Sequence, residues 1–287
     1  MTHAAYHLDR PAARTTCVVF ASPHSGRDYE AAFLGQSRLD ATAIRSSEDA
    51  FVDELFASVP RHGAPFLTAR SPRAFVDFNR APEELDPALI DGVRRLSQNP
   101  RVASGLGVIP RVVSGGRAIY DGKIPLDRAH ARITQYWRPW HDQLQTLLDE
   151  SLRQFGQAVL IDCHSMPHEA LDSIGANGAP RPDVVIGDRF GAAASPAVVE
   201  AVEAAFIGAG LRVARNMPFA GAYVAQHYGR PSRHQHAVQV EIDRALYMNE
   251  ATLDRSDGFD DLCRLLDTVV ADIAAFGAAD KGRMAAE

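Results

Sequence analysis

Residues able to bind a metal, move a proton or grip an anion collect where short apolar runs of this chain end. His24 follows Cys17–Ala21, in Ser22-Pro23-His24-Ser25-Gly26. His164 follows Ala158–Ile161, in Asp162-Cys163-His164-Ser165. Asn79 and Arg80 close the run Ala74–Phe78, and Asp188 stands just beyond Asp183–Ile186. Neutral imidazole is the commonest protein ligand for zinc. A catalytic zinc takes three protein ligands and keeps one position for water. Two histidines and one carboxylate satisfy that count, and Glu48 or Asp49 offers the carboxylate. Taken singly, each ring has a plainer role as a turn cap or a sheet-packed side chain. Two rings at equivalent strand ends favour a shared ion.

Other residues fit around such a centre. Glu241, in the alternating stretch Ala237–Asp243, shares a face with Gln239 and Asp243. Alternation alone reads that face as the exposed side of an edge strand. Beside a metal, Glu241 would instead take a proton from water and pass it to a leaving nitrogen. Arg80, Arg230 and Arg244 each carry a planar guanidinium that pairs with a carboxylate through two hydrogen bonds. That suits an amino-acid substrate, although a surface ion pair is the ordinary role of a single arginine. His227 lies in a polar loop suited to substrate contact. In Tyr136-Trp137-Arg138-Pro139-Trp140-His141, the tryptophans face the core and His141 reads as a buried structural histidine.

The elements that position these residues alternate. Strands are expected at Cys17–Ala21, Ala74–Phe78, Ala158–Ile161, Asp183–Ile186 and Ala237–Asp243. Helical spacing marks Asp49–Val59, Leu126–Phe155 with an interruption at Pro139, Pro196–Gly208 and Phe259–Phe276. Leu262, Leu265, Leu266, Val269 and Ile273 should point inward on the last helix. Alternation of this kind implies an α/β sheet, parallel at least in its centre. In open α/β sheets the carboxyl ends of the strands form the ligand crevice. Residues 81–119 are rich in Pro, Gly, Ser and Arg with weak periodicity. They read as a loop insertion in one domain spanning 1–287, serving as a lid or an oligomer contact.

Composition narrows the class. The 287 residues carry 30 basic and 36 acidic side chains, for a formal charge of −6. No long basic run is present, so nucleic acid and anionic membrane are poor partners. No apolar run approaches the ~20 residues of a membrane span. Three cysteines without a C-x-x-C pair argue against a disulfide framework or a cysteine zinc site. With no apolar leader, the chain is expected in the cytoplasm, with a homo-oligomer left open.

The ordered segments SPHSG (22–26), EDAFVDELF (48–56), VDFNR (76–80), YWRPWH (136–141), DCHS (162–165), GAYVAQHYGRP (221–231) and HAVQVEI (236–242) resemble those of N-formylglutamate amidohydrolases. The resemblance spans about residues 17–250. It implies a three-layer fold with a mostly parallel mixed sheet flanked by helices, like that of zinc carboxypeptidases and aspartoacylase. It implies zinc held by His24, by Asp49 or Glu48 with Asp49 favoured, and by His164. It also implies Glu241 as general base and acid, and Asn79-Arg80 as a substrate-contacting pair; in the mechanism expected of such a site, Arg80 also steadies developing charge. Where those relatives supply the acid as His-x-x-Glu, this chain has Arg27. Where the histidine-degradation branch often has Trp-His after the acid, this chain has Ala50-Phe51. The expected reaction is hydrolysis of an N-acyl amino acid, N-formyl-L-glutamate first among them. Alternatives are another N-acyl amino acid or small peptide-like amide, or a non-catalytic binding protein on the same fold.

Overall fold

The computed structural model describes residues 4–94, 99–175 and 180–278. Its centre is a seven-stranded sheet built from β1 (Tyr6–Asp9), β2 (Val18–Ser22), β3 (Phe66–Ala69), β4 (Ala158–Met166), β5 (Val184–Gly187), β6 (Val213–Arg215) and β7 (Gln235–Asp243). The strand order is β1-β3-β2-β4-β7-β5-β6. The four inner strands β3, β2, β4 and β7 run parallel. β1 pairs antiparallel with β3, and β5 antiparallel with β7. The flanking helices are α1 (Val52–Leu55), α2 (Leu126–Arg132), α3 (Arg138–Phe155), α4 (Pro196–Gly208), α5 (Tyr223–Tyr228) and α6 (Phe259–Phe276).

Side chains alternate across a strand, so each face of the sheet has its own partner layer. One face presents Val18, Phe20, Val159, Ile161, Cys163, Val238, Val240 and Ile242 to α1, α4 and α6. The opposite face presents Val19, Ala21, Ala158, Leu160 and Ala237 to the helical layer containing Trp140, Leu144, Leu147 and Leu148. This second face changes character along its length. Its amino-terminal half is apolar, whereas its carboxyl-terminal half carries Asp162, His164, Gln239 and Glu241, all buried. The fold thus covers a polar half-face with protein, and the site is built there. The edge-strand reading of Ala237–Asp243 is overturned, because β7 lies between β4 and β5 and is buried throughout.

Several expected elements shift. Ala74–Phe78 is no strand. Phe75 and Val76 donate to the Pro72 carbonyl at 2.9 and 3.3 Å, and Asn79 N–H donates to Asp77 Oδ1 at 2.8 Å. Its apolar alternation reflects burial within a turn, and the strand beside β2 is the earlier β3. The helix expected over Asp49–Val59 shortens to α1, because Phe51 sits at φ 65°, outside helical space. Leu265 is 38% exposed rather than inward. The expected break near Pro139 is a π-helical turn over Ile133–Trp137, joining α2 to α3. Residues 95–98 of the insertion lie outside the described residues.

Two backbone crossings frame the polar half-face. A Cβ on Gly26 would lie 2.2 Å from the Ser71 carbonyl oxygen, and one on Gly187 would lie 2.7 Å from the Ala220 carbonyl carbon. Only glycine fits such close approach. Between the layers, His141 Nδ1 meets Tyr228 Oη at 2.9 Å and Nε2 meets the Phe78 carbonyl at 2.9 Å. Burial pushes its pKa down to about 3, with the Phe78 hydrogen bond opposing. As pH falls below about 6.5, the unfolded chain gains a proton on this residue that the folded chain refuses. Stability attributable to neutral His141 is therefore full above about pH 6.5 and is lost toward pH 3, by about 1.4 kcal/mol per pH unit. Denaturant unfolding at pH 7 and at about pH 4.5 should show a shallower acid loss in His141→Gln than in the parent.

Candidate active site

Three side chains from three elements meet above the carboxyl ends of β2 and β4. His24 stands in the turn after β2, His164 on β4, and Asp49 just before α1. Asp49 Oδ2 lies 3.4 Å from His24 Nδ1 and 2.9 Å from His164 Nδ1. The two rings are 4.8 Å apart between centroids. One ligand atom from each residue falls within 4.8 Å of the others. Each imidazole also meets a carboxylate on its far side. His24 Nε2 is 2.7 Å from Asp77 Oδ1, and His164 Nε2 is 3.0 Å from Asp162 Oδ2. A carboxylate behind a metal-binding histidine fixes the tautomer and turns the other nitrogen's lone pair toward the ion.

The electrostatics ask for a cation. Asp49, Asp77, Asp162 and Glu241 are all buried around the two rings. Burial alone would raise the Asp49 pKa, but His164 and His24 outweigh it and hold the carboxyl well below the usual range. Burial likewise opposes charge on His164, but Asp162 and Asp49 drive its pKa well up. His24 Nδ1 is buried with no hydrogen-bond partner among the described residues. The donor set of two imidazoles and one carboxylate fits a divalent metal ion such as zinc.

Around this trio the other expected residues divide. Glu241 stands opposite His164 in the β4–β7 register and accepts from Gln239 Nε2 at 2.7 Å. Burial pushes its carboxyl up to about 7, with His164 opposing and Asp49 adding. Asn79 Oδ1 accepts from Val224 N–H at 2.8 Å, which leaves Nδ2 3.3 Å from His164 Nε2. Arg244 donates to Asp49 Oδ1 at 3.0 Å and to Ser165 Oγ at 3.1 Å. Arg80 donates to the carbonyls of Leu106 and Asn79 at 2.9 and 2.7 Å. All of these line one cavity of about 720 Å³ with the trio.

Glu48 turns away, held by Arg45 at 3.0 Å through both carboxylate oxygens. His227 and Arg230 are exposed and do not line the cavity; the ring of His227 stacks on Tyr223 at 5.1 Å. Asp188 does not converge either. Its strand β5 runs opposite to β7, so its carboxyl end points away, and Asp188 is bonded to Asn216 at 2.6 Å. Arg73, Asp77, Asp162 and Gln239 join the site without having been expected there; the last three lie in VDFNR, DCHS and HAVQVEI, as polar neighbours of the expected residues.

The sequence profile of the family described as N-formylglutamate amidohydrolase matches residues 16–248. The chain belongs to the N-formylglutamate amidohydrolase family. The motif resemblance is thereby borne out. Two curated relatives, the N-formylglutamate deformylases of Pseudomonas putida and Pseudomonas aeruginosa, are each 28% identical over 240 residues, spanning 81% of this chain and 82% of theirs. The crystal structure of N-formylglutamate amidohydrolase from Ralstonia eutropha superposes at a TM-score of 0.89 with 34% identity, covering 96% of this chain and 99% of that one. A gene product of Agrobacterium tumefaciens shares the fold at a TM-score of 0.66 and 17% identity, covering 96% of each chain.

Within this family member the geometry separates two adjacent acids. Asp49→Ala should strip the purified protein of divalent metal, whereas Glu48→Ala should keep it. Elemental analysis after gel filtration distinguishes them; equal metal content in both would place the acidic ligand elsewhere.

Proposed function

We propose that this amidohydrolase uses Zn²⁺ held by His24, Asp49 and His164 to hydrolyse N-formyl-L-glutamate to formate and L-glutamate. The observation that carries the reading is the placement of Glu241. It is a buried carboxyl beside His164, opening on the same cavity as the trio, with its pKa pushed up to about 7 by burial. A group poised there can both accept and release a proton at neutral pH. When bound, the ion supplies Lewis-acid polarisation and makes water a nucleophile near neutral pH.

The chain's own residues supply the rest. Glu241 takes a proton from the attacking water and hands it to the departing nitrogen. Gln239, bonded to Glu241 and to the Ala222 N–H at 3.1 Å, fixes that carboxylate in place. Arg73 donates to Asp77 at 3.0 Å. Burial opposes its charge, but Asp77, Asp49 and Glu241 outweigh that and hold its pKa up. A cation so placed steadies negative charge developing on the formyl oxygen. Arg80, first expected in that role, gives Nε and Nη1 to the Leu106 and Asn79 carbonyls, and through Nη2, with Asn79, it serves substrate binding. Arg244 serves the centre by holding Asp49.

The trio, Glu241 and Arg244 come from widely separated parts of the chain. This supports one domain, with residues 81–119 as an insertion forming one cavity wall. No helix among the described residues is long and apolar enough to cross a membrane. The three cysteines are unpaired, which supports a reducing, cytoplasmic setting. The small-molecule substrate is the one partner the reading needs.

Glu241→Gln should lower kcat on N-formyl-L-glutamate by roughly 10²- to 10⁴-fold while bound zinc stays at the parent level. Formate release measured beside metal content tests this. Parent-like turnover in the variant removes Glu241 from the chemistry.

A further inference from the structure

Four arginines line the cavity: Arg73, Arg80, Arg101 and Arg244. Their charges are not equally matched. Arg73 is paired with Asp77, and Arg244 with Asp49. Arg80 donates only to neutral carbonyls, and Arg101 makes no side-chain hydrogen bond or ion pair among the described residues.

These last two are linked through the main chain of the insertion. Arg80 Nε donates to the Leu106 carbonyl, and Leu106 N–H donates to the Arg101 carbonyl at 2.8 Å. Asn99 Oδ1 accepts from Arg101 N–H at 3.0 Å, and Asn99 Nδ2 donates to Glu84 at 3.1 Å. Glu84 is itself bonded to Ala81 N–H and Asn99. Burial lowers the Arg80 pKa, Asp77 opposes it, and the like charges of Arg73 and then Arg101 add to the lowering. Two guanidinium groups lining one cavity, neither paired with a carboxylate there, suit an anionic group of a ligand.

We propose that Arg101, with Arg80, binds the side-chain carboxylate of the substrate and restricts this enzyme to N-acyl amino acids with an acidic side chain. This rests on the deformylase reading but concerns residues other than the proposed metal ligands and Glu241. Arg101 enters from the insertion, makes no bond to the trio, and is exposed, so its replacement leaves the core intact.

The test uses the zinc-loaded full chain as parent, Arg101→Met and Arg101→Lys. Glutarate and butyrate are titrated calorimetrically into each. Glutarate affinity should fall roughly 10- to 100-fold in Arg101→Met, the scale of a lost charge-assisted contact. It should recover in part in Arg101→Lys, with butyrate unchanged. In formate release, kcat/KM for N-formyl-L-glutamate should fall by a similar factor while that for N-formyl-L-glutamine stays near the parent value. Unchanged glutarate affinity, no glutarate binding by the parent, or equal losses on both substrates would overturn the assignment. A parent that binds glutarate through Arg101 but releases no formate would retain the carboxylate site and sink the deformylase reading instead.

Discussion

One carboxylate organises the centre of this protein. Asp49 turns one oxygen to two imidazoles and the other to Arg244, and all four side chains are buried. Such an arrangement is costly to dismantle in part, because removing one member leaves uncompensated charge in a poorly solvating interior. It also ties four distant stretches of chain together: the turn after β2, the segment before α1, the end of β4 and the residue after β7. The sheet brings these points near one another, and Asp49 fixes their spacing.

The same constraint explains how carboxylates are shared out. Asp77 and Asp162 each stand behind one imidazole, and Glu241 is left with Gln239 and, among the described residues, no cation in direct contact. A carboxyl buried without a close cation keeps its proton to a higher pH than its neighbours. Identical chemical groups a few ångströms apart are thus divided between holding and proton transfer by their surroundings, as in other acid–base sites.

Much of this was legible in the sequence, and what was missed has physical reasons. β2, β4, β5, β7, α4 and α6 were visible because burial leaves its period in the residues. His24 and His164 were visible because polar side chains directly after buried runs are unusual, whereas Asp49 over Glu48, and Glu241 on a face that alternation reads as exposed, came from the family resemblance. The turn holding Asp77, Asn79 and Arg80 mimicked a strand, since a buried loop can alternate as a half-covered strand does. β1 and β6 are only partly buried and leave no apolar run, and Thr68 breaks the run of β3. Choosing between Glu48 and Asp49 needed Arg45, whose grip on Glu48 is a three-dimensional fact. The arginines were hardest to sort, because a guanidinium's task depends on which carboxylate it meets. Arg244 proved to be bound to Asp49, and Arg230 to lie outside the cavity.

The glycines at 26 and 187 bear on how such a cavity can change over time. At each, one stretch of main chain rides directly on another with no side chain between. Clearance there is set by peptide thickness, which mutation of neighbouring residues leaves alone. Lining residues can therefore be exchanged to suit a new acyl group or amino acid while the gap between the imidazoles holds its width.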